Sequence, residues 1–261
     1  MTDFTKYINI NKIAWNKRTP IHMKSEFYNN TAFKKGETSL KAIELDAIGN
    51  IKHKTLLHLQ CHFGQDSMSF ARMGAKVTGI DFSNIAITEA QRISKELNID
   101  VNFIESNILE LKLNQKFDII FSSYGVIGWI PDLIKWGSII SSHLEKGGVF
   151  LLTEFHPFLE LIKNNGYDYF YNPIPDIEIE KGSYTDGGEK LTTKTCWWNH
   201  SLTDIFNALE TNGLKLTGFK EFDYSPFLLE GMIKKSEGKY VLKTRKTKST
   251  PYVFTLTATK K

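Results

Sequence analysis

Short apolar runs alternate with amphipathic stretches along most of the chain. Residues 54–60 are an apolar run ending near Gly64, and residues 66–73 then repeat at helical spacing, which predicts strand, tight turn and helix. The unit recurs: residues 75–80 read as a strand closed by Asp81, Ser83 as the N-cap of a helix running to about Leu97, and residues 101–104 as a third strand. Residues 117–121 and 149–152 are nearly continuous apolar strands, with a helix opened by Pro131 and running to about Leu144, then a turn at Lys146-Gly147-Gly148. Strands of this kind are buried on both faces, so the pattern predicts an α/β fold with a doubly wound, mostly parallel sheet.

Two stretches break the pattern. Residues 1–50 form a polar arm before the first strand. From about 157 to 196 the periodicity fades into Tyr167, Tyr169, Phe170, Tyr171, Pro173, Pro175 and the turn Asp186-Gly187-Gly188, as expected of an inserted cap with short strands of its own. The pattern resumes with a helix from Ser201 to about Thr211, Gly213 as its stop, and strands at 214–222 and 252–257. No helix separates that last pair, so it predicts antiparallel strands at one end of a seven-stranded sheet. One domain spanning 1–261 is expected.

Composition narrows the class. At 41% hydrophobic and 24% charged residues the chain is neither disordered nor collagen-like, and its 261 residues suffice for a large core. The net charge of +4 is uneven: seven basic residues, Lys239, Lys243, Arg245, Lys246, Lys248, Lys260 and Lys261, follow position 238 without an acid among them. That segment reads more simply as a solvated strand pair that resists edge pairing than as a phosphate-binding surface, so nucleic acid is not the expected partner. Cys61 and Cys196 are expected to be free thiols. With no signal-like start and no membrane-length apolar run, a cytoplasmic setting is expected.

In a doubly wound sheet, ligands bind beyond the carboxyl ends of the strands. The first such loop is residues 60–66. Asp81 ends the next strand 17 residues after Gly64, where a carboxylate accepts hydrogen bonds from both ribose hydroxyls. Ser106 and Asn107 follow the third strand and could reach an adenine edge. Singly, each could be a turn former; their order on successive strand ends points to a nucleotide-type ligand. A dinucleotide-linked oxidoreductase is the main enzymatic rival, but no G-x-G-x-x-G spans the first turn. His58 and His62 straddle that turn without the tight spacing of a metal site, so no metal is expected.

These residues resemble the class I S-adenosylmethionine-dependent methyltransferases over roughly residues 54–156 and 200–261. The usual first motif has an acid and two glycines where this chain carries His58, Gln60 and His62. Residues 57–66, Leu-His-Leu-Gln-Cys-His-Phe-Gly-Gln-Asp, are similar to a recurrent variant of that motif. Its companions are also present: Trp15-Asn16-x-Arg18 with His22, Ser25 and Tyr28; Ser123-Tyr124-Gly125-Val126-x-x-Trp129; Glu154-Phe155-His156-Pro157; and Trp198-Asn199-His200.

The resemblance implies a Rossmann-like methyltransferase fold, S-adenosylmethionine as donor without a metal, and O- or N-methylation of a small organic acceptor. It implies donor contacts from Trp15, Arg18 and His22 of a lid-like arm, from Gln60, Cys61, Gly64 and Gln65, and from Asp81, Phe82, Ser106, Asn107 and Ser123. An arginine suits the donor carboxylate. His156, Glu154 and Tyr124 are the catalytic candidates: His156 is a general base or acceptor-positioning group on one reading and a strand-end cap on the other. Trp129, Trp197 and Trp198 with the tyrosines at 167–171 suggest aromatic walls for the acceptor. A binding protein that has lost catalysis, an RNA methyltransferase and a homodimer remain open at this point.

Overall fold

A computed structural model describes residues 3–163, 168–246 and 249–261; Tyr167 and Lys248 lie outside them. The arm folds into three helices, α1 (Thr5–His22), α2 (Asn30–Lys34) and α3 (Ala42–Ile48). The alternating units follow: β1 (Thr55–Leu59), α4 (Gln65–Arg72), β2 (Lys76–Asp81), α5 (Asn84–Leu97), β3 (Val101–Glu105), β4 (Phe117–Ser123), α6 (Leu133–His143) and β5 (Leu144–Phe155). Between β5 and α8 (Leu202–Thr211) come α7 (Pro157–Lys163) and an antiparallel hairpin, β6 (Asp176–Lys181) with β7 (Thr192–Trp197). Then follow β8 (Leu214–Phe222), the hairpin β9 (Met232–Ser236) and β10 (Lys239–Leu242), and β11 (Val253–Lys260).

Seven strands form the main sheet in the order β3-β2-β1-β4-β5-β11-β8. The first five are parallel, and β11 runs antiparallel between β5 and β8. This is the Rossmann-like methyltransferase fold. Leu56, Leu57, Leu59, Ile80, Ile120, Phe121, Phe150 and Leu152 are fully buried, as strands covered on both faces require. Ser83 caps α5, its hydroxyl accepting from the Ala86 amide.

Three local expectations need correction. The helix expected from Pro131 starts at Leu133, because the Asp132 side chain accepts from the Lys135 amide and sets the entry there. Lys146-Gly147-Gly148 is an irregularity inside β5: the pairing jumps from Phe117↔Leu144 to Ile119↔Val149. The basic terminal strand β11 is no edge; β8 is, and the terminal lysine pair begins with Lys260, which donates to the carbonyls of Ser141 and Leu144. Cys61 and Cys196 are both unpaired and buried. Among the described residues, no helix is long and apolar enough to cross a membrane.

Candidate active site

The carboxyl ends of β1, β2, β3 and β4 open into a cavity of about 720 Å³. Its floor depends on left-handed backbone in the loop after β1. Gly64 has φ 79°, and a Cβ there would lie 2.4 Å from Phe103 Cζ. Gln60 and His62 hold φ 56° and 51° although neither is glycine. A left-handed non-glycine residue costs roughly 1–2 kcal/mol. The two positions where the chain departs from the usual motif therefore keep the backbone course that glycine favours. The Gln60 amide donates to the Val126 carbonyl (3.1 Å), while its Oε1 is buried without a partner. His58, at the position of the usual acid, is buried on β1 with Nδ1 2.8 Å from Ser67 Oγ; burial lowers its pKa to about 4, so it is neutral.

Asp81 ends β2 buried in this floor. Its Oδ2 accepts from the His62 amide (2.9 Å) and its Oδ1 from the Ser83 amide (2.8 Å). Burial pushes its carboxyl up to about 6, against the pull of the Ser83, His62 and Phe82 amides. A carboxylate offers about four lone-pair sites, so acceptor capacity remains on both oxygens. Phe82, Ser106 and Asn107 line the same side, with the Asn107 side chain accepting from the Leu109 amide. Cys61, Gln65 and Ser123 also line the cavity; the Gln65 amide donates to Tyr28 O and Asn30 Oδ1, tying α4 to the arm.

The arm and the inserted hairpin roof the cavity together. Asn11 and Cys196 exchange two hydrogen bonds of 2.8 Å, fixing α1 to β7. Trp15 lies edge-on to Trp129 (5.5 Å), and Trp129 edge-on to Trp197 (4.9 Å), whose ring covers Gly128 so closely that a Cβ there would sit 2.0 Å away. Arg18, only 3% exposed, also lines the cavity. Its Nη2 lies 2.6 Å from Glu180 Oε2 of the inserted hairpin, and its guanidinium faces Trp15 and Trp129, leaving Nε buried without a partner. His22 stands behind the cavity lining, its Nδ1 3.0 Å from His62 Nε2 and its Nε2 2.8 Å from Ser183 Oγ. Burial, then Arg18, lowers its pKa to about 3.

On the third side the structure joins Tyr124 to residues that carried no signal in the sequence. Tyr124 follows β4 with φ 43° and donates to Glu44 Oε2 at 2.7 Å. Glu44, from α3, is 1% exposed yet lines the cavity, and its Oε1 accepts from the Lys41 amide. Burial and the facing Asp66 push it up to about 7. Asp66 accepts from Ser39 Oγ (2.5 Å) and lies 3.5 Å from Ser123 Oγ. Phe155 and Phe227 complete this wall.

His156 and Glu154 are not part of it. Successive side chains of a strand point to opposite faces, and Phe155 takes the cavity face of β5. Glu154 instead accepts from the amides of Gly125, Val126 (2.8 Å), Ile127 (3.0 Å) and Phe155 (2.6 Å), holding the loop after β4. His156 Nε2 lies 3.0 Å from Glu221 Oε1 on β8, and its Nδ1 accepts from the Phe158 amide. The aromatic walls are also partly different from expectation. Trp129 and Trp197 line the cavity, but Trp198 is buried against Phe4 and Tyr7, and Tyr171 stacks on His200. Tyr28, Tyr184, Phe155 and Phe227 supply the faces instead.

This combination of sheet order, strand-end cavity and buried carboxylate is that of a methyltransferase domain. Residues 51–209, more than half of the chain, match the methyltransferase domain family, and the chain belongs to that family. Among curated relatives it is 30% identical over 135 residues to a release factor glutamine methyltransferase of Flavobacterium psychrophilum, covering 50% of this chain and 42% of the relative. It is 31% identical over 97 residues to a ubiquinone biosynthesis O-methyltransferase of Paramagnetospirillum magneticum, covering 37% and 39%. The chain thus spans about two fifths of the length of these relatives. An S-adenosylmethionine-dependent methyltransferase structure from Clostridium acetobutylicum shares the fold at TM-score 0.60 and 17% identity, over 96% of this chain and 98% of that one.

Proposed function

We propose that this protein is an S-adenosylmethionine-dependent methyltransferase acting on oxygen or nitrogen of a small organic acceptor. The observation that carries the reading is Asp81: a buried carboxylate at the end of β2, with one amide on each oxygen and acceptor capacity left over, beside the cavity formed by the first strand-end loops. S-adenosylmethionine would supply an electrophilic methyl group there. Asp81 would accept from the ribose hydroxyls, Ser106 and Asn107 would face the adenine, and the unpartnered Gln60 Oε1 would accept a donor from the ligand. The glycine at 64 fits this group because the floor has no room for a side chain.

The chain's own contribution to chemistry is alignment, exclusion of water and removal of a proton. The arm and the hairpin of β6 and β7 act as lid and cap, holding the reacting groups under Trp15, Trp129 and Trp197. Glu44 takes the acceptor proton at Oε2, with Tyr124 orienting its carboxyl; a base near neutrality suits this task. Glu44 and Tyr124, which line the cavity, take this role in place of His156 and Glu154, which do not.

The test uses methyl-labelled S-adenosylmethionine and a small-molecule extract as acceptor pool. Wild type is expected to form S-adenosylhomocysteine and a labelled product, whereas Glu44→Gln loses roughly 10²–10⁴-fold in rate while binding S-adenosylhomocysteine as wild type does. A fully active Glu44→Gln variant would remove Glu44 from the chemistry. A wild type that binds neither donor nor product would end the reading.

A further inference from the structure

The cavity wall made by α3, the start of α4 and the end of β4 carries a charge imbalance. Two carboxylates, Glu44 and Asp66, line it against one ammonium, Lys41. Lys41 Nζ already rests over the Phe227 ring, 5.2 Å from its centroid, so the aromatic face of this wall receives a cation. Phe227 in turn packs edge-on against Tyr124 at 4.8 Å and lies 6.3 Å from Phe155. The titratable groups that face Glu44 are Asp66 from α4, Tyr124 from the end of β4, and Tyr224 from the segment after β8, with Lys41 at the start of its own helix. The wall thus carries one carboxylate more than it has ammonium groups. Burial, then the facing Asp66, raises the pKa of Glu44, so a cation beside it would favour its ionised form.

From this wall we infer that the methyl acceptor is an amine, entering as its ammonium between Glu44 and Asp66 with its apolar part against Phe227 and Phe155. The inference rests on the methyltransferase reading above. An ammonium can pair with both carboxylates, whereas a neutral hydroxyl offers them no charge and a carboxylate adds to theirs. For transfer, the ammonium N–H bond breaks and its proton passes to Glu44, which becomes a carboxylic acid. The freed nitrogen lone pair forms the bond to the methyl carbon as the carbon–sulfur bond breaks, its electron pair going to sulfur.

The experiment titrates the protein saturated with S-adenosylhomocysteine with three probes of one shape: benzylamine, benzyl alcohol and benzoate. Benzylamine is expected to bind at least about tenfold more tightly than the alcohol, the scale of one charge-assisted hydrogen bond, with benzoate weakest. Its affinity should rise as Glu44 ionises through about pH 7, while that of the alcohol stays level. Glu44→Gln should remove the benzylamine preference and leave S-adenosylhomocysteine affinity unchanged; Asp66→Asn provides the same comparison if the first variant fails to fold. Equal affinity for amine and alcohol, tighter binding of benzoate, or no binding of any probe would overturn the inference. So would a Glu44→Gln variant that weakens S-adenosylhomocysteine instead, because the wall would then hold the donor's own ammonium. If wild type does not bind S-adenosylhomocysteine at all, the methyltransferase reading falls first.

Discussion

Gly64→Ala separates backbone strain from steric overlap in the floor of the site. Gly64 sits at φ 79°, ψ 17°, a left-handed conformation in which an alanine costs roughly 1–2 kcal/mol. Its Cβ would also lie 2.4 and 2.5 Å from Cζ and Cε1 of Phe103 and 3.2 Å from the Ala90 Cβ. Phe103 is buried, so the ring cannot swing clear, and overpacking adds about 1–3 kcal/mol. The expected destabilisation is therefore about 2–5 kcal/mol, read as the shift in urea midpoint at unchanged slope. In a Phe103→Leu background the overlap is relieved and only the backbone cost remains, so a double-mutant cycle should return about 1–3 kcal/mol of coupling. A Gly64→Ala loss below about 1 kcal/mol, or no coupling to Phe103→Leu, would refute the close approach of ring and loop.

Three further perturbations address the carboxylates and the histidine. Glu44→Gln should raise the melting temperature of the unliganded protein at about pH 8 but much less at pH 5: a carboxyl raised to about 7 contributes stability at low pH that is lost as pH rises through that value. An equal effect at both pH values would contradict the raised pKa. Glu154→Gln should cost about 2–4 kcal/mol in chemical denaturation, since an amide group then faces backbone N–H donors that a carboxylate satisfied; a neutral result would show that those four contacts hold nothing. His156→Ala should leave S-adenosylhomocysteine affinity within about twofold and flatten the acid limb of the stability curve. Burial depresses the pKa of His156, so the stability it contributes is present above the ordinary histidine pKa and lost as pH falls through the depressed value. A collapse of ligand affinity would instead return His156 to the site.

The central strands were legible because β1, β2 and β4 are nearly continuous in buried residues, the pattern of strands covered on both faces; the edge strand β8 also falls at Leu214–Phe222 as expected, although most of its residues are exposed. The arm's helices were not. The buried face of α1 carries Asn11, Arg18, Thr19 and His22, and Pro20 lies inside it, so no apolar period marks it. The basic segment after position 238 reads as a solvated strand pair; β10 falls in it, but its partner β9 lies before it and carries exposed Lys234 and Lys235. In the site, residues fixed by strand ends were found from their order: Asp81, Ser106, Asn107 and the loop around Gly64 all meet at the cavity. Glu154 and His156 were misplaced because proximity to a strand end does not say which face a side chain takes. Glu44 was invisible, being brought in by a helix with no link in sequence to the strands it joins.

Calorimetric titration of S-adenosylhomocysteine into wild type and Asp81→Asn, at about pH 7.5 and about pH 5, tests the central claim most directly. Ribose hydroxyls donate to the ionised carboxylate, so wild type should bind well at the higher pH and progressively less tightly as pH falls through about 6. Asp81→Asn should bind at least about tenfold more weakly at the higher pH, the loss of charge-assisted hydrogen bonds worth about 1.5–3 kcal/mol each, and lose that dependence on pH. A folded Asp81→Asn protein with wild-type affinity at both pH values would contradict the claim that this cavity takes the donor nucleoside.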